Sequence, residues 1–311
     1  MNSQENVVPE SLFDSQKIAP AATSATRPIY WSVRREIWEN QSIYMAPLYV
    51  ACVILFSFLI GVIKAPANTH AGVAVTAAQE YIAIQVACYI TVLLLVLTAC
   101  IIGAFYCLDA LYGERRDRSI LFWKSLPVSD LTTVLSKASI PLIVLPLLTF
   151  AMILVTQVFI LLIGTIGLLA RGHSAAAMWT GLPLFRMPLE LLYLLPVLAL
   201  WHAPIYGWLL LVSSWARRTP ILWAVLPLLA ISIFEKIAFH TGHFANFILY
   251  RLSGWAPRAF ITPENGSFPV GQMPAIDPEK FLSTPDLWIG LAVAVVFFAA
   301  AIRLRRYREP L

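Results

Sequence analysis

The sequence predicts an all-α integral membrane protein with six transmembrane helices, and three observations lead to this prediction. Of the 311 residues, 59% are hydrophobic and only 13% are charged, which is far from the balance of a soluble globular domain. Apolar runs of about 20 residues, the length that crosses roughly 30 Å of hydrocarbon, recur along most of the chain. Transmembrane β-strands would instead need alternating segments about half as long.

The first 44 residues precede the apolar runs. Residues 1–26 are polar and have little to bury, so we predict a disordered cytoplasmic tail. Residues 27–44 are predicted to form an interfacial helix on the inner leaflet, with Val33 and Ile37 on its apolar face. Two tryptophans that would otherwise be left in water, Trp31 and Trp38, lie beside that face. The polar side carries Arg34, Arg35, Glu36 and Glu39.

Six apolar runs follow, and they predict one six-span transmembrane domain over residues 45–311. The predicted spans are residues 45–63, 81–107, 138–170, 191–214, 221–239 and 286–302. Prolines inside these runs predict kinks, because each proline removes a backbone donor from its helix. They are Pro146, Pro196, Pro204 and Pro227.

Basic residues predict the orientation of the chain in a cell membrane. With the N-terminus inside, 15 of the 22 lysines and arginines lie in cytoplasmic segments, so the positive-inside rule places both termini in the cytoplasm. The net charge of +5 mostly reflects this bias and is weak evidence for nucleic acid, which we do not expect as a partner. The expected partner is instead the lipid bilayer.

A charged segment between the second and third runs stands out from its apolar flanks. We predict a helix over residues 109–126, ended by Pro127, with charges near its start and apolar residues later. A solvated loop whose charges only fix topology is the alternative, and Phe122 and Trp123 count against it. On the opposite side, residues 240–285 are predicted to form an extracytoplasmic loop that opens with an amphipathic helix and continues irregularly.

The spans hold almost no ionisable groups, which argues against an ion-coupled carrier. Such proteins keep carboxylates or bases at mid-membrane despite an insertion cost of roughly 2.5–3.5 kcal/mol each, whereas here His202 is the ionisable side chain deep in a run, apart from cysteine and tyrosine. The chain also lacks a GxxxxGK[ST] phosphate loop. If the protein moves a substrate, its energy must come from another subunit.

The arrangement resembles the permease subunits of ATP-binding-cassette transporters of the type-2 exporter class. The resemblance covers about residues 30–305 and is carried by VRREIWEN before the first span and by ERRDRSILFWKSLPVS between the second and third. It implies that residues 27–44 are an elbow helix and residues 109–126 a coupling helix. The implied elbow residues are Trp31, Arg34, Arg35 and Trp38. The implied ATPase-coupling residues are Glu114, Arg115, Asp117, Arg118, Phe122, Trp123 and Lys124.

That resemblance also implies the partners. A separate nucleotide-binding subunit would hold ATP and Mg, and this chain would carry no cofactor, metal or catalytic residue of its own. Six spans make half of the usual assembly, so we expect a dimer with a second copy or a homologous permease. Export is the implied direction.

Two other functional classes stay open from the sequence. His240 and His243, with Glu235 nearby, are the best candidates for the site of an integral-membrane enzyme, as metal ligands or acid–base groups. A passive channel or secondary carrier would need polar side chains along a pore. The candidates are Gln85, Thr91, Thr98, Thr149, Thr156, Gln157, Ser213 and Ser214. A silent scaffold that anchors a partner is a further possibility.

Overall fold

The computed structural model describes residues 26–64, 77–125, 128–176, 179, 186–260 and 276–307, and this part of the chain is helical. One isolated antiparallel bridge joins Phe260 to Ile276. The helices are α1 (Thr26–Glu39), α2 (Ser42–Lys64), α3 (Ala77–Ala110), α4 (Tyr112–Arg116), α5 (Ile120–Ser125), α6 (Asp130–Ser139), α7 (Leu145–Ala170), α8 (Arg186–Trp215), α9 (Pro220–Phe239), α10 (His243–Ser253), α11 (Ala256–Ala259), α12 (Pro278–Leu282) and α13 (Pro285–Tyr307).

Six of these segments are long and apolar enough to cross a membrane, which confirms the prediction of an all-α, multi-pass architecture. They are Ser42–Lys64, Tyr81–Arg116, Asp130–Ala170, Met187–Trp215, Pro220–Phe239 and Pro285–Tyr307, numbered here as spans 1 to 6. Each contains one of the six predicted runs, and each starts before that run or at its first residue. The predicted tail lies outside the described residues apart from Thr26.

The spans alternate in direction, so the starts of spans 1 and 3 meet the ends of spans 2, 4 and 6. At this end of the bundle, which we call the inner end, Ile43, Leu111, Val134, Val212 and Ala301 belong to one buried apolar cluster. A second cluster surrounds Trp201 farther along span 4. Spans 4 and 6 form the most extensive helix pair, and spans 1, 2 and 3 pack against one another.

Span 5 packs little against the rest of the described chain. Ala224 is its only buried residue, and large apolar side chains such as Phe234 and Ile237 are exposed along it. Trp208 of α8 donates its indole N–H to the Ala224 carbonyl and fixes the start of the span. The remaining surface of span 5 is therefore available to lipid or to another protein.

Span 3 contains a π-helical turn. Ile140–Val144 forms this wider turn between α6 and α7, and prolines at 141 and 146 flank its centre. A proline lacks the N–H that an α-helical turn uses, and π-turns are commonly found where the regular ladder is interrupted. The predicted kink near Pro146 therefore coincides with a change of helical type.

The segment at residues 109–126 is divided, and not the single helix that the sequence predicts. α3 continues to Ala110, α4 follows, and α5 begins only at Ile120. Between α4 and α5, Arg118 has φ of 56°, the left-handed region in which no right-handed helix continues. The break separates α4, whose Glu114 and Arg115 are buried, from exposed residues farther along.

The helix before span 1 ends earlier than predicted. It stops at Glu39, and Ile43 N–H donates to the Asn40 carbonyl as the chain turns into span 1. Glu36, predicted on the polar side, is in fact only 2% exposed. Helical periodicity identifies a polar side, but it cannot show that neighbouring helices cover part of it.

Candidate functional site

A largely buried cluster of charged side chains joins four helices, α1, α4, α6 and α13, at the inner end. Its members, called here the ion cluster, are Arg35, Glu36, Glu114, Asp130, Lys137 and Arg305. Lys137 Nζ lies 2.8 Å from Glu36 Oε1 and 3.2 Å from Glu114 Oε1. An Arg305 nitrogen lies 3.0 Å from Glu114 Oε2. Glu114 is therefore the link between helices that are distant in the sequence.

Further contacts surround this centre of the ion cluster. Arg305 also pairs with Asp130. Arg35 contacts Glu36 at 3.1 Å and Glu114 at 3.5 Å, and Tyr106 donates its hydroxyl to Glu36 at 2.8 Å. Three carboxylates thus face three basic groups, which balances the charge. Such pairing is required because an unpaired buried charge is strongly destabilising.

Arg115 fixes α4 to the end of span 4. Its guanidinium donates to the Ser214 carbonyl at 2.6 Å and to the Ala216 carbonyl at 3.2 Å. These carbonyls lie at the C-terminal end of α8, where a cation also interacts favourably with the helix dipole. The Ser213 hydroxyl in turn accepts N–H bonds from Leu111 and Tyr112. α4 is therefore held by side-chain and backbone contacts together.

From the last residue of α4 onward most side chains are exposed, although Ile120 is buried, and we call Arg116–Arg118 together with Leu121 and Phe122 the tip. Phe122 is 59% exposed, and Leu121 is equally open. Arg116 pairs with Asp117 at 3.0 Å at the surface. The tip thus offers charges and apolar side chains next to one another, which is the composition of a protein contact surface rather than of a purely solvated loop.

The predicted coupling residues divide into two groups. Glu114 and Arg115 point inward and bind other parts of the chain, whereas Asp117, Arg118 and Phe122 are exposed on the tip. The side chains of Trp123 and Lys124 lie outside the described residues.

The predicted elbow residues also differ in their surroundings. Arg34 lies over both neighbouring indoles, 5.3 Å from the centre of the Trp31 ring and 4.7 Å from that of Trp38. Both tryptophans are more than half exposed. Arg35 instead turns toward the ion cluster. α1 thus presents an aromatic, cationic outer side while its other side is tied to the bundle.

Sequence reasoning missed the roles of Glu36, Lys137 and Arg305. Lys137 and Arg305 were counted only as basic residues that set topology. One available signal was position, because Lys137 directly precedes an apolar run and Arg305 lies at the end of another. Which carboxylates they meet depends on how helices pack, and no spacing in the sequence contains that information.

Four of the eight polar residues proposed to line a pore bond to their own helices. Thr91, Thr98 and Thr156 each donate to the carbonyl four residues earlier, and Ser214 donates to Leu211. His202 likewise has its Nδ1 2.9 Å from the Leu198 carbonyl. A cavity between spans 2, 3 and 4, bordered by Cys100, Thr149, His202 and Tyr206 among others, has about 30 Å³, which is room for roughly two waters. These contacts favour packing roles.

The histidine candidates for an enzyme site do not form a cluster with Glu235. The Glu235 carboxylate accepts bonds from the Thr241 hydroxyl and from the backbone N–H groups of His243 and Phe244, each at 2.8 Å. It therefore caps the start of α10. Within the described ranges, no group of three or more His, Cys, Asp or Glu side chains is placed to hold a metal.

α10 runs back beside span 4, and its Arg251 is buried there. Trp201 donates its indole N–H to the Arg251 carbonyl at 2.9 Å, and the guanidinium lies 4.7 Å from the centre of the Trp201 ring. Burial lowers the pKa of Arg251. Burial, together with a hydrogen bond to Asp286, raises the pKa of Tyr250. This group fastens α10 to spans 4 and 6.

The inner end therefore combines an exposed tip with buried ionic and backbone attachments to α1 and to spans 2, 3, 4 and 6. Mechanically, a force on the tip would reach all of these helices through short, directed contacts. Comparison of the chain with protein-family models, curated proteins and solved structures finds no match.

Proposed function

We propose that this chain is the transmembrane permease subunit of an ATP-binding-cassette transporter of the type-2 exporter class. In this proposal the tip docks on a separate ATPase subunit, which holds ATP and Mg, and two permease chains form the translocation path. The observation that carries the proposal is the attachment of an exposed, mixed apolar and charged tip to several spans through Glu114 and Arg115. A segment that fixed topology alone would not need these buried links.

The two groups of coupling residues then have different roles. Asp117, Arg118 and Phe122 contact the ATPase directly. Movement of the ATPase is transmitted by Glu114 to Lys137 and Arg305. Arg115 transmits the same movement to the end of span 4. When ATP closes two ATPase subunits, the inner ends of the two permeases move relative to one another. The exposed surface of span 5 is suited to the contact between permease chains.

Co-purification tests the docking. The tagged chain is isolated in mild detergent from its native cells, and co-purifying proteins are identified by mass spectrometry. We expect a P-loop ATPase with the unaltered chain and its loss from an Arg118→Ala/Phe122→Ala variant. The matched control is Arg303→Ala/Tyr307→Ala, which removes the same kinds of side chain from exposed positions at the inner end of span 6. Retention of the ATPase by the tip variant would contradict the docking.

The alternatives are an integral-membrane enzyme, a channel or secondary carrier, and a scaffold. Substitution of both His240 and His243 by alanine should leave ATPase stimulation unchanged, because the hydrogen bonds of Glu235 come from the Thr241 hydroxyl and from backbone N–H groups, which alanine retains at 243. Complete loss of activity in that variant would instead favour the enzyme. A chain that purifies without any ATPase would favour a channel, enzyme or scaffold.

A further inference from the structure

The connection between spans 4 and 5 forms a small hollow at the inner end. Trp215, Ala216, Arg217 and Trp223 border it, and it has a volume of about 260 Å³. Ligand pockets for whole drug-sized molecules start near 300 Å³, so this hollow is matched to a molecular group rather than to a large ligand. The two indoles pack edge to face, 4.9 Å between ring centres.

The hollow is held in a fixed shape. Arg115 binds the carbonyls of Ser214 and Ala216, and the Ala216 N–H donates to Val212 at 2.8 Å. On the other side, Thr219 has φ of 44° and is followed by the proline that starts span 5. The backbone that carries Arg217 is thus fixed at both ends, and a ligand meets a preformed site.

The charge of the hollow is not balanced within the described chain. Arg217 and Arg218 are exposed, and neither takes part in the ion pairs of the described residues. Trp215 and Trp223 are 41% and 45% exposed beside them. Indoles prefer the headgroup level of a membrane, and basic pockets between spans at this level suit anionic lipid headgroups.

We propose that this hollow holds the glycerol and upper acyl region of an anionic phospholipid, with the phosphate at its border beside Arg217. Arg217 provides a planar fork of donors for the phosphate oxygens, and the exposed edges of Trp215 and Trp223 contact the glycerol and upper acyl region. This site is independent of the ATPase docking proposed above. Because Arg115 joins α4 to the same loop, a bound lipid lies next to the attachment of the tip.

Native mass spectrometry of the delipidated chain with added phosphatidylglycerol tests the site. A basic residue near an anionic surface contributes about fivefold in affinity, and a charge-assisted hydrogen bond contributes at least a further factor of about ten. Arg217→Ala should therefore weaken binding about fiftyfold, and Arg303→Ala, an exposed control at the same end, about fivefold or less. Equal losses in the two variants would overturn the proposal.

Two further arms identify the ligand. Phosphatidylcholine should bind much more weakly than phosphatidylglycerol, and inorganic phosphate at the lipid concentration should not displace it. Equal binding of phosphatidylcholine, or displacement by phosphate, would contradict an anionic-lipid site.

The position of the lipid is tested by fluorescence. Brominated phosphatidylglycerol should quench part of the tryptophan fluorescence, and Trp223→Phe should reduce the quenched fraction. Unchanged quenching would place the lipid elsewhere.

Discussion

The ion cluster shows how charged side chains can be buried in an apolar bundle when each has a partner of opposite charge. Lys137 is 2% exposed yet has two carboxylates within 3.2 Å. A buried pair contributes little net stability compared with a well-packed apolar pair, but removal of one member leaves an uncompensated charge. The loss of one member alone is therefore expected to destabilise the fold, although the paired members together contribute little.

Replacement of Lys137 by methionine should lower the free energy of unfolding by about 3–5 kcal/mol, because Glu36 and Glu114 lose a shared cation. Denaturation of the purified chain in mild detergent measures this loss. Adding Glu114→Gln should recover part of it, since one negative charge is removed as well. The exposed pair provides the control, and Arg116→Ala should leave stability unchanged. Similar losses for both positions would show that burial does not determine the effect.

A second residue-scale prediction concerns Gly290, whose backbone lies directly against the Arg251 guanidinium. A Cβ at this position would overlap that group, whereas one at Gly61 would meet nothing within 4 Å. Gly290→Ala should therefore displace Arg251 from Trp201 and lower the unfolding temperature, and Gly61→Ala should not. The change at Gly290 should also shift tryptophan fluorescence. Identical melting of the two variants would contradict this packing.

At the scale of helices, α10 depends on a cap that comes from span 5. Glu235 satisfies N–H groups at the start of α10, which have no partner within that helix. Because His240, with φ of 56°, turns the chain between the two helices, the carboxylate can reach back across the turn. The cap defines where α10 begins.

Glu235→Ala should increase hydrogen exchange of the backbone N–H groups at His243 and Phe244, because their shared acceptor is lost. Hydrogen exchange followed by mass spectrometry measures the change. Lys236→Ala is the control, since this neighbouring side chain is exposed and contributes no bond to the cap. Unchanged protection in the Glu235 variant would show that the carboxylate is not the cap.

Elements of this fold differ in how well the sequence predicts them. The six spans follow from run length alone, because a bilayer imposes one length on any helix that crosses it. The break at Arg118 and the burial of Glu36 did not follow, and the burial of Glu36 depends on contacts with other helices. The candidate site was predicted as a segment, but the sequence could not indicate that Glu114 and Arg115 point inward.

For the whole molecule, the alternating spans assign every connection to one of two sides. The tip, the connection between spans 4 and 5, and the end of span 6 lie at the inner end, and Ser174 and His243 lie in connections at the other end. The positive-inside prediction goes further and makes the inner end cytoplasmic.

Single cysteines, introduced after the native four are replaced, should reveal this division. Asp117→Cys, Arg218→Cys and Tyr307→Cys should react with a membrane-impermeant maleimide from one side of the membrane. Ser174→Cys and His243→Cys should react only from the other. Labelling of Arg218→Cys together with Ser174→Cys would contradict the alternation, and labelling of the first three only from outside would reverse the orientation.

The π-helical turn at Ile140–Val144 also has a geometric consequence. It takes up one residue more than an α-helical turn, so everything after it in span 3 is offset in phase by up to roughly 100°. Lys137 on one side of the turn and Thr149 on the other thereby acquire directions that an unbroken α-helix of the same sequence would not give them. The extra residue acts as a spacer, so deletion of one residue here should restore a regular helix while keeping its two halves in their present orientation.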